Sequence, residues 1–151
     1  MNASTDHTSQ AAASVPIPLG FERVTRSSPY ADLLGPIYQK SESEGLVFAI
    51  RAESKHCNVR GHVHGGVLGT LADIAMGYST ALSTSPPTPM VTVNLSIDFA
   101  GKADKGDWIE VRSDIQKVGR SLAYANCYFH VGNLRIARAS AVFSISSGER
   151  K

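Results

Sequence analysis

The chain reads as α+β, one long apolar helix wrapped by an antiparallel sheet of about six strands. Three observations lead there. Residues 65–83 form the single extended run at helical spacing, closed by Ser85-Pro86-Pro87. The C-terminal half alternates apolar and polar residues in stretch after stretch, as half-buried strands do. The connections there are too short for helical crossovers, and Gly132-Asn133 is a two-residue hairpin signal.

The elements follow in order. Residues 1–16 are rich in Ser, Ala and Thr, with neither the basic nor the apolar segment of an export signal, and read as a disordered leader. Residues 17–147 are expected to form the domain, with 148–151 as a tail. Ser28-Pro29 opens a short helix over 30–34, stopped by Gly35-Pro36. Strands over 37–41 and 46–52 flank Glu42-Ser43-Glu44-Gly45, and 54–64 is a polar loop. Beyond the long helix come strands over 91–99, 108–117, 121–131 and 134–145, expected as a four-stranded meander. Val91, Val93, Leu95, Ile97 and Phe99 share one face of the first. Ala137, Ala139 and Ala141 share a face of the last, so another element can approach it closely.

Bulk properties narrow the function. At 151 residues the chain fits one domain with a sizeable core. A net charge of +2, with no Lys/Arg run longer than two, gives no footprint for nucleic acid. No apolar run reaches the roughly 18 residues of a membrane span. Two cysteines without an export signal read as reduced thiols, so a cytoplasmic location is expected. His62-x-His64 has no Cys or carboxylate at metal-ligand spacing, so no metal and no cofactor are expected.

Between Gly65 and Ile97 the only charged side chain is Asp73. Burying an ionised carboxylate costs several kcal/mol unless it is paired, so its place inside an apolar helix marks a reactive group. Val67, Leu68, Leu71, Ala72, Ile74, Ala75, Met76 and Tyr78 cover most of the helix, which predicts burial nearly all round. The remaining stripe is Gly66, Gly69 with Thr70, Asp73, Gly77 and Thr80, a slot for a slender ligand or another backbone. At its start, His64-Gly65-Gly66 offers free N–H groups at the positive end of the helix dipole, suited to a developing oxyanion. Gly66 and Asp73 are about 10 Å apart along the axis. A hydrolase needs both parts, N–H groups for the carbonyl oxygen and a carboxylate for attack or proton removal.

The pattern Asn58-x-x-Gly61-x-x-His64-Gly65-Gly66, with Leu71 and Asp73 following, resembles the motif of hotdog-fold acyl-CoA thioesterases of the PaaI-like (phenylacetate-pathway) branch of the 4-hydroxybenzoyl-CoA thioesterase superfamily. The resemblance spans roughly residues 30–145. It implies a hotdog fold and hydrolysis of an acyl- or aroyl-CoA, with Asp73 as nucleophile or general base. It further implies that the Gly65 N–H, with Gly66, polarises the carbonyl while Asn58 and His64 position thioester or water. Thr92 matches a hydroxyl position that helps hold the water, usually contributed by the facing subunit. Lys102, Lys105, Arg120 and Ser121 match the region that meets the CoA phosphates. A homodimer or dimer of dimers is implied. Two rivals stay open: a hotdog 3-hydroxyacyl dehydratase or enoyl hydratase, in which the carboxylate precedes the His, and a non-catalytic acyl-CoA-binding module.

Overall fold

A computed structural model describes residues 15–25 and 27–145. The 148–151 tail and residues 1–14 of the expected leader lie outside them. Pro16, at the leader's end, already contacts the domain, its carbonyl accepting from Arg51 Nη2 at 3.0 Å. The elements are β1 (Glu22–Arg23), α1 (Pro29–Leu34), β2 (Ile37–Glu42), β3 (Gly45–Arg51), a single 3-10 turn (Ser54–His56), α2 (Gly65–Leu82), β4 (Met90–Phe99), β5 (Trp108–Val118), β6 (Leu122–Val131) and β7 (Leu134–Ile145).

All the strands join one antiparallel sheet of seven, in the order β1-β2-β3-β5-β6-β7-β4. The strand beyond the expected six is β1, whose two residues are too short to show a period. The last four strands do not form the expected meander. Only β5, β6 and β7 do; β4 sits at the far edge beside β7. The cause is α2, which lies across the sheet and carries the chain past β5 and β6 before β4 begins.

Small side chains on β6 and β7 let the helix settle. Ala123, Ala125, Cys127, Ala137, Ala139 and Ala141 are all buried. Against them pack Leu71, Ala72, Ala75 and Met76, each fully buried, with Phe48, Ile109, Phe129 and Phe143 around them. The sheet covers only one side of α2, so the expectation of burial nearly all round is corrected. Tyr78 and Leu82 are 41% and 53% exposed. A Cβ at Gly69 would meet no atom within 4 Å. Thr80 leaves the expected stripe and is fully buried, because the chain after the helix folds back over its last turn, Thr88 N–H donating to the Ala81 carbonyl at 3.1 Å.

Candidate active site

The loop before α2 is shaped from within. Asn58 Oδ1 accepts from the N–H groups of Arg60 at 2.9 Å and His62 at 3.3 Å. Gly61 takes φ +81 at the turn, a left-handed conformation that favours glycine. Asn58 thus holds the loop with its oxygen, while its amide nitrogen donates to nothing among the described residues. His56, 2% exposed, anchors the loop from beneath. Its Nδ1 accepts from Glu53 N–H at 2.9 Å, and its Nε2 donates to the Leu34 carbonyl at 2.6 Å. The His56 carbonyl in turn accepts from His64 N–H at 2.8 Å. Sequence reading passed over His56; its signal was Glu53-x-x-His56, a reciprocal capping pair across the 3-10 turn.

His64 is the N-cap of α2, its Nδ1 accepting from Gly66 N–H at 3.1 Å. That bond occupies one of the two N–H groups expected to meet a carbonyl. Among the described residues, the Gly65 N–H is left without an acceptor. A Cβ at Gly65 would stand 2.9 Å from Phe99 Cζ, so packing of β4 against the helix start favours glycine there.

Asp73 lies two turns further along α2. It is half-buried rather than fully buried, and it is not without a partner: Thr92 Oγ1 donates to its Oδ1 at 2.6 Å. Both belong to one chain, a contact that the sequence did not anticipate. No cation pairs with Asp73 among the described residues. Thr92 points at it because β4 shifts register between Thr92 and Asn94. Such a bulge re-aims the side chains before it. Strict alternation would have placed Val91 and Val93 inward; instead they are 65% and 61% exposed, and Met90 and Thr92 turn toward α2.

Asp73 and Thr92 stand at the wall of a cavity of about 300 Å³, otherwise lined mainly by apolar groups including Gly77, Tyr78, Met90 and Phe143. Sequence reading had marked Gly77 and Tyr78 but missed Met90 and Phe143, which the bulge and the sheet bring in from distant segments. Tyr30 on α1 meets Thr70 at 3.0 Å between hydroxyl oxygens, setting α1 beside the same helix face.

The expected phosphate-binding residues are not brought together in one chain. Lys102 and Lys105 precede β5, and Arg120 and Ser121 follow it, so the two pairs are separated by roughly 35 Å of strand. Lys102 Nζ lies 3.6 Å from Asp104. His62 Nδ1 meets Asp104 Oδ1 at 2.5 Å, a carboxylate partner that only the tertiary fold supplies. The hydrogen bond from His62 holds the Asp104 carboxyl below its ordinary range, with Lys102 adding to it. Among the described residues no three His, Cys, Asp or Glu side chains gather as a metal site. Burial pushes the Cys127 thiol up to about 12, which leaves it a core residue and no nucleophile.

This geometry meets its match in known proteins. A family model described as "Thioesterase superfamily" matches residues 60–143. A Pseudomonas aeruginosa protein, named provisionally as an esterase, is 47% identical over 130 residues, covering 85% of this chain and 97% of its own. Human acyl-coenzyme A thioesterase 13 is 29% identical over 104 residues, 68% of this chain and 74% of that protein. Among solved structures, zebrafish thioesterase superfamily member 2 superposes with a TM-score of 0.73 at 24% identity, over 80% of this chain and 89% of that one. A Streptococcus pneumoniae hypothetical thioesterase solved with coenzyme A gives a TM-score of 0.66 at 20% identity, over 76% of this chain and 91% of that one. The chain therefore belongs to the thioesterase superfamily, with the hotdog fold and thioester hydrolysis as its class of chemistry. No helix among the described residues is long and apolar enough to cross a membrane.

Proposed function

We propose that this protein is an acyl-CoA thioesterase of the PaaI-like branch, releasing CoA and a free acid without metal or cofactor. One observation carries the reading: an Asp73 carboxylate with no cation partner among the described residues, fixed by Thr92, at the wall of an apolar cavity. Acyl-coenzyme A thioesterase 13 and the coenzyme A complex support CoA as the leaving thiol.

Thr92 engages one oxygen of Asp73 and leaves the other free to take a proton from water or to attack the carbonyl. Either route adds oxygen to the thioester carbon, expels the CoA thiolate and ends with water consumed. The Gly65 N–H, at the positive end of α2, is suited to the oxyanion that forms. Asn58, through its free amide nitrogen, and His64, through the imidazole face beyond its cap bond, position the carbonyl or the water. Gly66 shapes the approach, its own N–H being taken by His64.

These two parts belong to different copies of the chain. Gly65 lies eight residues from Asp73, about 12 Å along one helix, too far to meet on one carbonyl. A second copy laid antiparallel brings the Gly65 of one to the Asp73 of the other. The same arrangement brings Lys102 of one copy toward Arg120 and Ser121 of the other, where CoA phosphates would lie. The free edge of β4 and its exposed Val91 and Val93 offer a surface for that pairing. A homodimer, or a dimer of dimers, is thus part of the proposal. So is a cytoplasmic location, in keeping with Cys57 and Cys127 as free thiols.

A panel of acyl- and aroyl-CoAs, followed by thiol release, tests the reading; Asp73→Ala as active as the parent ends it. Water addition to an enoyl-CoA would replace it with a hydratase, and CoA-ester binding without turnover with a sensor module. A single turnover in oxygen-18 water followed by a second in ordinary water separates the chemical routes. Label retained on Asp73 marks carboxylate attack.

A further inference from the structure

We propose that Gly77 sets the size of the acyl group this enzyme accepts, by keeping open the cavity beside Asp73; the inference rests on the thioesterase reading. Gly77 is one helical turn past Asp73 on the same face of α2, and both line the cavity. Nothing inside the chain demands glycine at this position. Its φ lies outside the left-handed region that Gly61 and four other glycines occupy among the described residues. A Cβ there would stand 3.7 Å from Phe143 Cε1, an ordinary contact. Gly65 is the contrast, since a Cβ there would press on the Phe99 ring at 2.9 Å. Mid-helix glycine is the poorest helix former after proline, so alanine would strengthen α2. What the missing side chain leaves is space.

The occupant follows from the chemistry at Asp73. A thioester carbonyl placed for attack there has two flanks. One is the CoA arm, with its polar amides; the other is the acyl group, the only part suited to a wall of Tyr78, Met90 and Phe143. The cavity of about 300 Å³ stands at the lower end of the roughly 300–1,000 Å³ that ligand pockets span, so a medium-length chain or a single ring suits it better than a sixteen-carbon chain.

The test is kcat/KM across straight-chain acyl-CoAs from acetyl to palmitoyl. The parent is expected to gain about threefold to fourfold per methylene as the cavity fills, peak near octanoyl and then decline. Gly77→Ala is expected to lower the octanoyl-to-acetyl ratio of kcat/KM at least tenfold while raising Tm by about 2–4 °C. Met90→Ala, which opens the opposite wall, is expected to move the peak to longer chains. An unchanged ratio in Gly77→Ala together with an unmoved peak in Met90→Ala would overturn the proposal and leave the thioesterase reading standing. A parent that releases no thiol from any member, nor from aroyl-CoAs, would overturn both.

Discussion

At the start of α2 the side-chain acceptors already have partners within the chain, whereas around Asp73 the carboxylate faces open, apolar space. The first region is a scaffold: Asn58, His56 and His64 spend their acceptors on backbone N–H groups. The second keeps a charged group with one hydroxyl contact and a void beside it. The difference teaches where substitutions should be felt. Damage at the loop should lower stability, with activity following; damage at Asp73 should lower activity and spare the fold.

The largest effect is expected at the reacting group. Asp73→Asn keeps the shape and can still accept from Thr92, but it supplies no base or nucleophile. Thiol release should fall by about 10²–10⁴-fold, with Tm within a degree or two of the parent. A large drop in Tm would show that Asp73 is structural and would erase the contrast between the two regions.

Next is His56→Ala. It strips partners from the Glu53 N–H and the Leu34 carbonyl, both in a part-buried setting. Unmet groups of this kind cost about 1–3 kcal/mol each, so a loss of roughly 2–4 kcal/mol and a fall in Tm of roughly 5–15 °C are expected. Thermal unfolding measures it. An unaltered Tm would mean that the loop is not held from below.

Thr92→Val removes the one hydroxyl that reaches Asp73 among the described residues. A hydrogen bond to a charged group is worth about 1.5 kcal/mol or more, and turnover should fall about tenfold. Thr92→Ser should restore most of it. Equal rates for Val and Ser would show that the contact does not orient the carboxylate.

Much of this was legible in the sequence because it rests on local periodicity. The long helix, seven of its neighbouring elements and the Asp73-bearing face follow from patterns of 3.6 and 2 residues read in place. What was lost is whatever depends on a break in pattern or on distant contact. The bulge beyond Thr92 inverts the apparent facing of Val91 and Val93, and no alternation rule reveals a single inserted residue. The placing of β4 beside β7 depends on how α2 crosses the sheet. Met90 and Phe143 enter the cavity by tertiary packing, and Asp104 reaches His62 from 42 residues away. The family resemblance grouped Lys102 with Arg120, yet β5 runs between them.

The smallest expected effect lies on the other face of the sheet, far from the cavity, and tests whether acid sensitivity belongs to the scaffold. His130 sits opposite Glu110 on β5 and Arg135 on β7, with Arg112, Asp114 and Glu44 in the same surface groove. Its Nδ1 is buried without a partner. Burial, then the positive charges of Arg135 and Arg112, push the imidazole below its ordinary value of 6.5, against a smaller opposing pull from Glu110. The unfolded chain therefore binds a proton that the folded chain resists, so stability rises with pH across this window. The contribution is complete above 6.5 and is lost as pH falls through the folded value. Asp104, also held down, loses its own contribution only below about 3.8, so its transition stays separate. Tm followed from about pH 7 to 5 should fall less in His130→Gln than in the parent. Parallel curves would show that His130 takes no part, and that acid acts on the fold elsewhere.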